Sequence, residues 1–310
     1  MPAAAGLAAA PAPRRRARRS IGDALTAGGF LLPNLVLSGV FLVLPLILTV
    51  VISFQKLDSL GPAQWLGVNN FLDLFRDPTF YETLWNTVVF TVCTVPLGMA
   101  VGLGIALLLN TVMPLRTLWR AVIFVPLVLS SVSVGLLGAW MFDQYNGFVN
   151  KFLAVLGIDG PDWQSNGTWA MVSVILMTLW QRIGLDMIIY LAGLQGVDPA
   201  VLEAAEVDGA SSWRRFRSIV FPLLGPSTFF LLIMNLLFSF QVFDTVYAMT
   251  AGGPNFSTTT LVVYAYQQGF SDHGPGQLGY AAAIGVVIFA VSLLLTAGQW
   301  RLSTTRDEVG

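Results

Sequence analysis

Six stretches of this sequence contain no Asp, Glu, Lys or Arg: 24–55, 83–115, 121–142, 163–181, 218–243 and 273–300. A lipid core needs roughly 20 predominantly apolar residues to be crossed by a helix, and each stretch holds a run near that length. Soluble domains carry about a quarter charged residues, whereas this chain is 11% charged and 55% hydrophobic. The pattern therefore predicts an all-α polytopic membrane protein with six transmembrane helices. The expected spans are 29–53, 85–109, 120–141, 168–193, 219–249 and 278–300. The fourth continues past Arg182 and Asp186 through the apolar stretch 187–194.

Basic residues set the expected orientation, because Lys and Arg accumulate on the cytoplasmic side. An even number of spans places both termini together. That side would hold Arg14, Arg15, Arg16, Arg18, Arg19, Arg116, Arg120, Arg214, Arg215, Arg217, Arg301 and Arg306. The opposite side would hold only Lys56, Arg76 and Lys151. Both termini and the loop 195–218 are thus expected in the cytoplasm. The first apolar run is too long for the h-region of a signal peptide and reads as a retained span. Trp85, Trp140, Trp169 and Trp300 fall near span ends, where interfacial anchors belong.

Cys93 is the only cysteine and His273 the only histidine, which leaves little for a disulfide framework, a thiolate metal site or Cys–His catalysis. In the second span Gly98 and Gly102 form a GxxxG, and Ala100 with Gly104 a second small pair. Small residues let helices approach closely, and packing within the chain is the favoured use.

The loop before the fifth span can be read residue by residue. Asp198 is a good N-cap and Pro199 suits the first helical position. A short helix follows through Leu202, Glu203, Ala204, Ala205 and Glu206, with Val201, Leu202 and Ala205 expected to present an apolar edge to a partner. Asp208-Gly209 ends it, since glycine tolerates positive φ. Ser212 can cap a second helix that runs through Phe216 into the fifth span, with bends expected at Pro222 and Pro226. Lipid-surface helices carry Lys or Arg on their polar face, but this one carries only acids, which favours a protein partner.

The string Glu203-Ala-Ala-x-x-Asp208-Gly209-Ala210, with Phe216, Ile219, Pro222 and Pro226, resembles the EAA motif of binding-protein-dependent ABC importer permeases. Further likeness to the sugar-permease branch of that family lies in three segments. They are Leu115-Arg116 with Arg120 and Phe124-Val-Pro126, then Gly147 to Asn150 with Trp163, and Gln241 to Pro254 with Thr260, Leu261 and Tyr264. The resemblance covers roughly residues 28–300. It implies a basic cytoplasmic tail (1–27), a transmembrane permease domain (28–300) with the coupling loop 195–218, and a cytoplasmic tail (301–310). It also implies that Glu203, Ala204, Ala205, Asp208, Gly209 and Ala210 contact an ATP-binding subunit. The implied partners are a second, non-identical permease, two ATP-binding subunits, an extracytoplasmic solute-binding protein and membrane lipid, with no nucleic acid. ATP and Mg would sit on the partner subunits, with no cofactor in this chain. The location would be the bacterial inner membrane.

Charges at membrane depth cost at least ~2–3 kcal/mol, so they must be paired or line a wet cavity. Arg182 and Asp186 are four residues apart on one helical face, and Asp244 follows Gln241 in the fifth span. With Trp180, Gln181 and Tyr247 they are candidates for a sugar path, because aromatic faces stack on sugar C–H surfaces and polar groups bond hydroxyls. An intrahelical Arg182–Asp186 pair bracing the bundle is the alternative. The loop 251–277 is a candidate contact for a solute-binding protein, or a plain flexible loop. No Gly-Lys-Ser/Thr phosphate loop is present, so ATP chemistry would belong to another chain. Competing readings are a permease for glycerol phosphate, amino acids or polyamines, a secondary transporter, or an intramembrane enzyme. A secondary transporter would leave the EAA-like loop unexplained.

Overall fold

The computed structural model describes residues 21–57, 62–111, 113–270 and 276–307. The basic cluster at Arg14 to Arg19 and His273 lie outside the described residues. The chain forms two units, Met1–Leu48 and Thr49–Gly310. In the first, α1 (Ile21–Ser38) runs through a π-helical turn (Gly39–Val43) into α2 (Leu44–Ser53), which ends in the second unit. Phe30, Leu35 and Phe41 are among the first unit's exposed apolar side chains.

The second unit begins with a two-residue strand pair, β1 (Gln55–Lys56) antiparallel to β2 (Gln64–Trp65), and a short helix α3 (Asn69–Leu74). The Asn70 amide donates to the carbonyls of Ser53 and Gln55 at 2.8 and 2.9 Å, tying α3 to the end of α2. Then come α4 (Pro78–Leu109), α5 (Arg116–Val128), α6 (Ser131–Met141), α7 (Phe148–Val155) and α8 (Gly167–Gln195). The coupling-loop helices α9 (Pro199–Val207) and α10 (Ser212–Arg215) follow. A π-helical turn (Phe216–Val220) leads through α11 (Phe221–Leu223) to α12 (Gly225–Phe240) and α13 (Asp244–Thr250). The last elements are α14 (Leu261–Gly269) and α15 (Leu278–Asp307).

Among the described residues four helices are long and apolar enough to cross a membrane: Gly29–Ser53, Pro78–Leu109, Gly167–Gln195 and Leu278–Gln299. Two bent pairs bring the number to as many as six if each is one span. The first pair, α5 and α6, is bent by 98° where one straight span was expected. Leu129 and Ser130 are extended there, which frees backbone groups that lipid cannot satisfy. Gln181 supplies the remedy, its amide donating to the Leu129 carbonyl at 3.1 Å and to Ser131 Oγ at 3.3 Å. The second pair, Ser212–Leu223 with Gly225–Phe240, is bent by 64° at Leu224, between the two prolines expected to bend it.

The expected fifth span, 219–249, is also interrupted at its other end. The helix stops at Phe240 and restarts at Asp244, and the Thr260 hydroxyl donates to the Val242 carbonyl in the gap at 3.0 Å. Both π-helical turns stand just before a proline, Pro45 and Pro222. Proline has no N–H for the carbonyl four residues back, and the residue preceding it bonds one residue wider instead: Leu44 to Gly39, and Phe221 to Phe216.

Helices α4 and α8 make the central crossing. Gly98, Gly102 and Ala106 are buried along one face of α4, and a Cβ on Gly102 would lie 2.5 Å from Asp186 Cβ. Thus the GxxxG packs inside the chain, as expected, while Ala100 and Gly104 are exposed. Phe90, Val134, Val174 and Val246 join α4, α6, α8 and α13 in one apolar core, and Ala106, Met187, Tyr190 and Leu231 join α4, α8 and α12 in another.

At the Pro78 end of α4 a polar knot sits beside a third apolar core, formed by Leu74, Phe80, Leu261 and Ile284. Asp77 caps the helix by accepting from the Thr79 N–H, and its other oxygen accepts from the hydroxyls of Tyr264 and Tyr280. Burial pulls the Asp77 carboxyl up, but these hydrogen bonds outweigh it and hold it below the ordinary value of 3.8. Burial and the Asp77 bond together push the Tyr264 hydroxyl up. A carboxyl depressed in the fold contributes stability above its unfolded value, and that contribution is lost as pH falls through the folded one. Asp77→Ala should therefore cost about 2 kcal/mol, from the lost cap and the loss of two tyrosine hydrogen bonds to a charged acceptor. The check is a lower thermal midpoint in detergent near neutral pH, with the gap to wild type narrowing below about pH 4.

Candidate functional site

The loop after α8 is built by local backbone chemistry. Asp198 accepts from the Ala200 N–H at 2.9 Å and Pro199 opens α9. At the far end Gly209 N–H bonds the Glu206 carbonyl at 3.0 Å and Ala210 N–H bonds the Ala205 carbonyl at 2.9 Å. Gly209 has φ +77°. These two bonds around a left-handed residue define a Schellman C-cap, so the Glu-Ala-Ala and Asp-Gly-Ala halves of the motif are the last turn of a helix and its cap. Ala205 and Ala210, the two residues joined by the 2.9 Å bond, are half-buried, while Glu203, Ala204, Asp208 and Gly209 are exposed.

The second helix starts one residue earlier than the sequence suggested. Ser211, not Ser212, is its N-cap and accepts from the Arg214 N–H at 3.4 Å. Adjacent serines offer the same chemistry, and the extended backbone falls at Ser211. The Arg215 guanidinium pairs with Glu206 across the turn, fixing α9 against α10. Two apolar side chains stand out at the surface, Val207 at 89% exposure and Trp213 at 67%. Sequence reasoning placed the apolar edge at Val201, Leu202 and Ala205 instead. Val201 is exposed, but Leu202 and Ala205 are partly covered. The missed signal was a valine between two acids at the helix end.

A cavity of about 290 Å³ lies among α4, α6, α8, α12 and α13. Five of the seven proposed path residues line it: Gln181, Arg182, Asp186, Gln241 and Asp244. Thr94, Ser131, Thr178 and Ser239 add hydroxyls, and Phe90, Phe238 and Phe243 add rings. Trp180 and Tyr247 are not on its wall. Trp180 is exposed, and Tyr247 stacks on Phe243 at 5.2 Å with Tyr266 edge-on at 5.1 Å.

Inside the cavity Asp186 is 1% exposed and accepts from the Asn235 amide at 2.8 Å. Arg182 lies over Phe238, with Cζ 3.7 Å from the ring centre. Among the described residues no ion pair joins Arg182 to Asp186, although they share a helix face. Each has its own partner on α12, so both charges connect α8 to that helix.

The loop after α13 is firmly tied. Asn86 donates to the Phe256 and Thr259 carbonyls, Thr259 to the Gly252 carbonyl, and Thr87 accepts from the Leu261 N–H, all between 2.8 and 3.2 Å. Among the described residues no cluster of His, Cys, Asp and Glu could hold a metal.

A bent-helix membrane bundle with a capped helical elbow on one loop is the architecture of an importer permease. Residues 94–303 match the family described as binding-protein-dependent transport system inner membrane component. The chain belongs to that family. It is 39% identical over 291 residues, 93% of each chain, to the sulfoquinovosyl glycerol transport system permease protein SmoG of Agrobacterium fabrum. It is 32% identical over 272 residues to the sn-glycerol-3-phosphate transport system permease protein UgpA of Pectobacterium atrosepticum, covering 87% of this chain and 91% of that one. Its fold matches the structure of a bacterial ABC transporter that imports the acidic polysaccharide alginate. There the TM-score is 0.80 at 25% identity, with 92% of this chain and 97% of the other covered. The protein is accordingly an inner-membrane permease component, a transport subunit rather than an enzyme.

Proposed function

We propose that this chain forms half of the path of an ATP-driven importer for sugars or sugar derivatives, and that α9 with its Schellman turn is the element an ATPase moves. In this reading Glu203, Ala204, Ala205, Asp208, Gly209 and Ala210 meet the ATP-binding subunit, joined by the exposed Val207 and Trp213. Two such subunits hold ATP and Mg, a second, non-identical permease supplies the other half of the path, and a binding protein delivers solute at the outer face. Both termini and the segment 195–218 face the cytoplasm, with 28–300 forming the permease domain between the tails 1–27 and 301–310. The basic residues gathered on that side support this orientation.

The observation that carries the reading is the elbow itself. Its Glu206–Arg215 bridge and capped turn give a stiff, exposed lever one helix away from the cavity-lining α12. Gln181, Arg182, Asp186, Gln241 and Asp244 are the solute-facing candidates. Trp180 and Tyr247 lie outside the cavity and serve the path only beyond it. The named solutes of the relatives, a glycosyl glycerol, glycerol phosphate and alginate, support sugar-like cargo. The test is copurification of tagged protein expressed with its neighbouring genes. A nucleotide-binding chain should come down with wild type and fall at least about tenfold with Ala204→Arg, which puts bulk and charge into the docking surface. Equal recovery would remove the loop from the interface.

A further inference from the structure

We propose that Arg182 is the anion-recognition residue of the cavity and that the solute carries an oxyanion group, a carboxylate, sulfonate or phosphate, on a sugar-like body. The inference rests on the reading that this cavity belongs to the solute path. Its basis is a guanidinium that the fold places but does not satisfy. Nε and Nη2 of Arg182 are buried and have no acceptor among the described residues. Those two nitrogens carry the parallel N–H pair along one edge of the guanidinium, the edge that takes two oxygens of one acid group side by side. The Phe238 ring, its centre 3.7 Å from Cζ, packs against the guanidinium and holds it in place. Asp186, one turn along the helix, acts on Arg182 through its charge alone: its Oδ1 is taken by Asn235 and no oxygen comes within ion-pair distance of the guanidinium, so both fork positions stay open.

A buried donor without a partner is costly, so such groups call for a physical explanation. A solute oxyanion supplies one. A sugar hydroxyl presents a single oxygen and no charge, whereas an acid group fills both positions of the fork and neutralises it. The hydroxyls of Thr94, Ser131, Thr178 and Ser239 and the amide of Gln241 on the same wall suit the sugar hydroxyls. Because the fork is covered in this conformation, an acidic solute binds better to a state in which the cavity has widened. That difference in affinity lets cargo bias the conformational equilibrium.

The test is calorimetric titration of the assembled transporter, permeases with ATPases and no binding protein, in lipid nanodiscs. The probes are methyl glucuronide and methyl glucoside, which differ only in the acid group. Wild type should bind the glucuronide about tenfold tighter or more, as a charge-assisted bidentate contact implies. Arg182→Gln should bring the two within about twofold, and Arg182→Lys should keep only part of the preference because lysine has no fork. Phe238→Leu, which leaves the charge but removes the ring that holds it, should weaken the preference several-fold, and it serves if Arg182→Gln fails to assemble. Equal binding of the two probes to wild type, binding of neither, or a full preference in Arg182→Gln or Phe238→Leu overturns the proposal. None of these results touches the permease reading, which is decided by the copurifying ATPase.

Discussion

Gly102→Val should remove most of the folded protein from the membrane. The added Cβ would sit 2.5 Å from Asp186 Cβ, 3.1 Å from the Met187 nitrogen and 3.2 Å from the Asp186 carbonyl carbon. Two of those three atoms are backbone, so no rotamer change relieves the clash, and α4 and α8 must separate. Separation loosens the contacts of Met187 and Tyr190 and disturbs the Asp186–Asn235 hydrogen bond. Overpacking of this kind costs roughly 3 kcal/mol, and in lipid the close helix approach is itself the stabilising contact. The measurement is yield of monodisperse protein after detergent extraction, expected to fall at least about tenfold. Gly104→Ala is the control, since nothing lies within 4 Å of a Cβ there. Equal yields of Gly102→Val and wild type would refute the helix crossing.

The second large effect concerns function without loss of folding. Gly209 has open space around it, so a substitution meets no neighbour. Its constraint is the backbone, at φ +77°. Left-handed conformation costs an ordinary L-residue roughly 1–2 kcal/mol and is least tolerable for a β-branched one. Gly209→Val should therefore unwind the Schellman turn and change the angle between α9 and α10. Transport is expected to fall by about tenfold or more while ATP hydrolysis continues, the sign of a lost mechanical link. Asparagine tolerates this conformation best among the alternatives, so the order of damage should be Asn, then Ala, then Val. Solute uptake and ATPase rate measured on the same membranes give the comparison. A valine variant with wild-type uptake would show that the turn is not part of the linkage.

The elbow was legible because its information is local. Asp198-Pro199 announces the start of α9 and Asp208-Gly209 its end, and both hydrogen-bond patterns involve residues within five positions of one another. The apolar spans were legible for the same reason. What could not be read were features settled between distant segments. The backbone of the 98° bend at Leu129 and Ser130 is satisfied by Gln181, about fifty residues further on, and the nearest proline, Pro126, stands one turn before the bend rather than at it. The partners of Arg182 and Asp186 are Phe238 and Asn235, which displaced the intrahelical pair that i,i+4 spacing suggested. Trp180 was misplaced by composition. At 3.6 residues per turn it stands about 200° around the helix from Arg182, away from the cavity wall. Tyr247 follows Phe243 by one helical turn and stacks on that wall residue without itself lining the cavity.

The central claim is that this permease couples solute entry to ATP hydrolysis through its cytoplasmic elbow. The most direct measurement is ATPase activity of the complex reconstituted in liposomes, with and without solute-loaded binding protein. Hydrolysis should rise several-fold when loaded binding protein is added to wild type, and that response should vanish in Gly209→Val while the basal rate persists. Uptake of solute by liposomes containing this chain without any ATPase, or stimulation undiminished by Gly209→Val, would contradict the account.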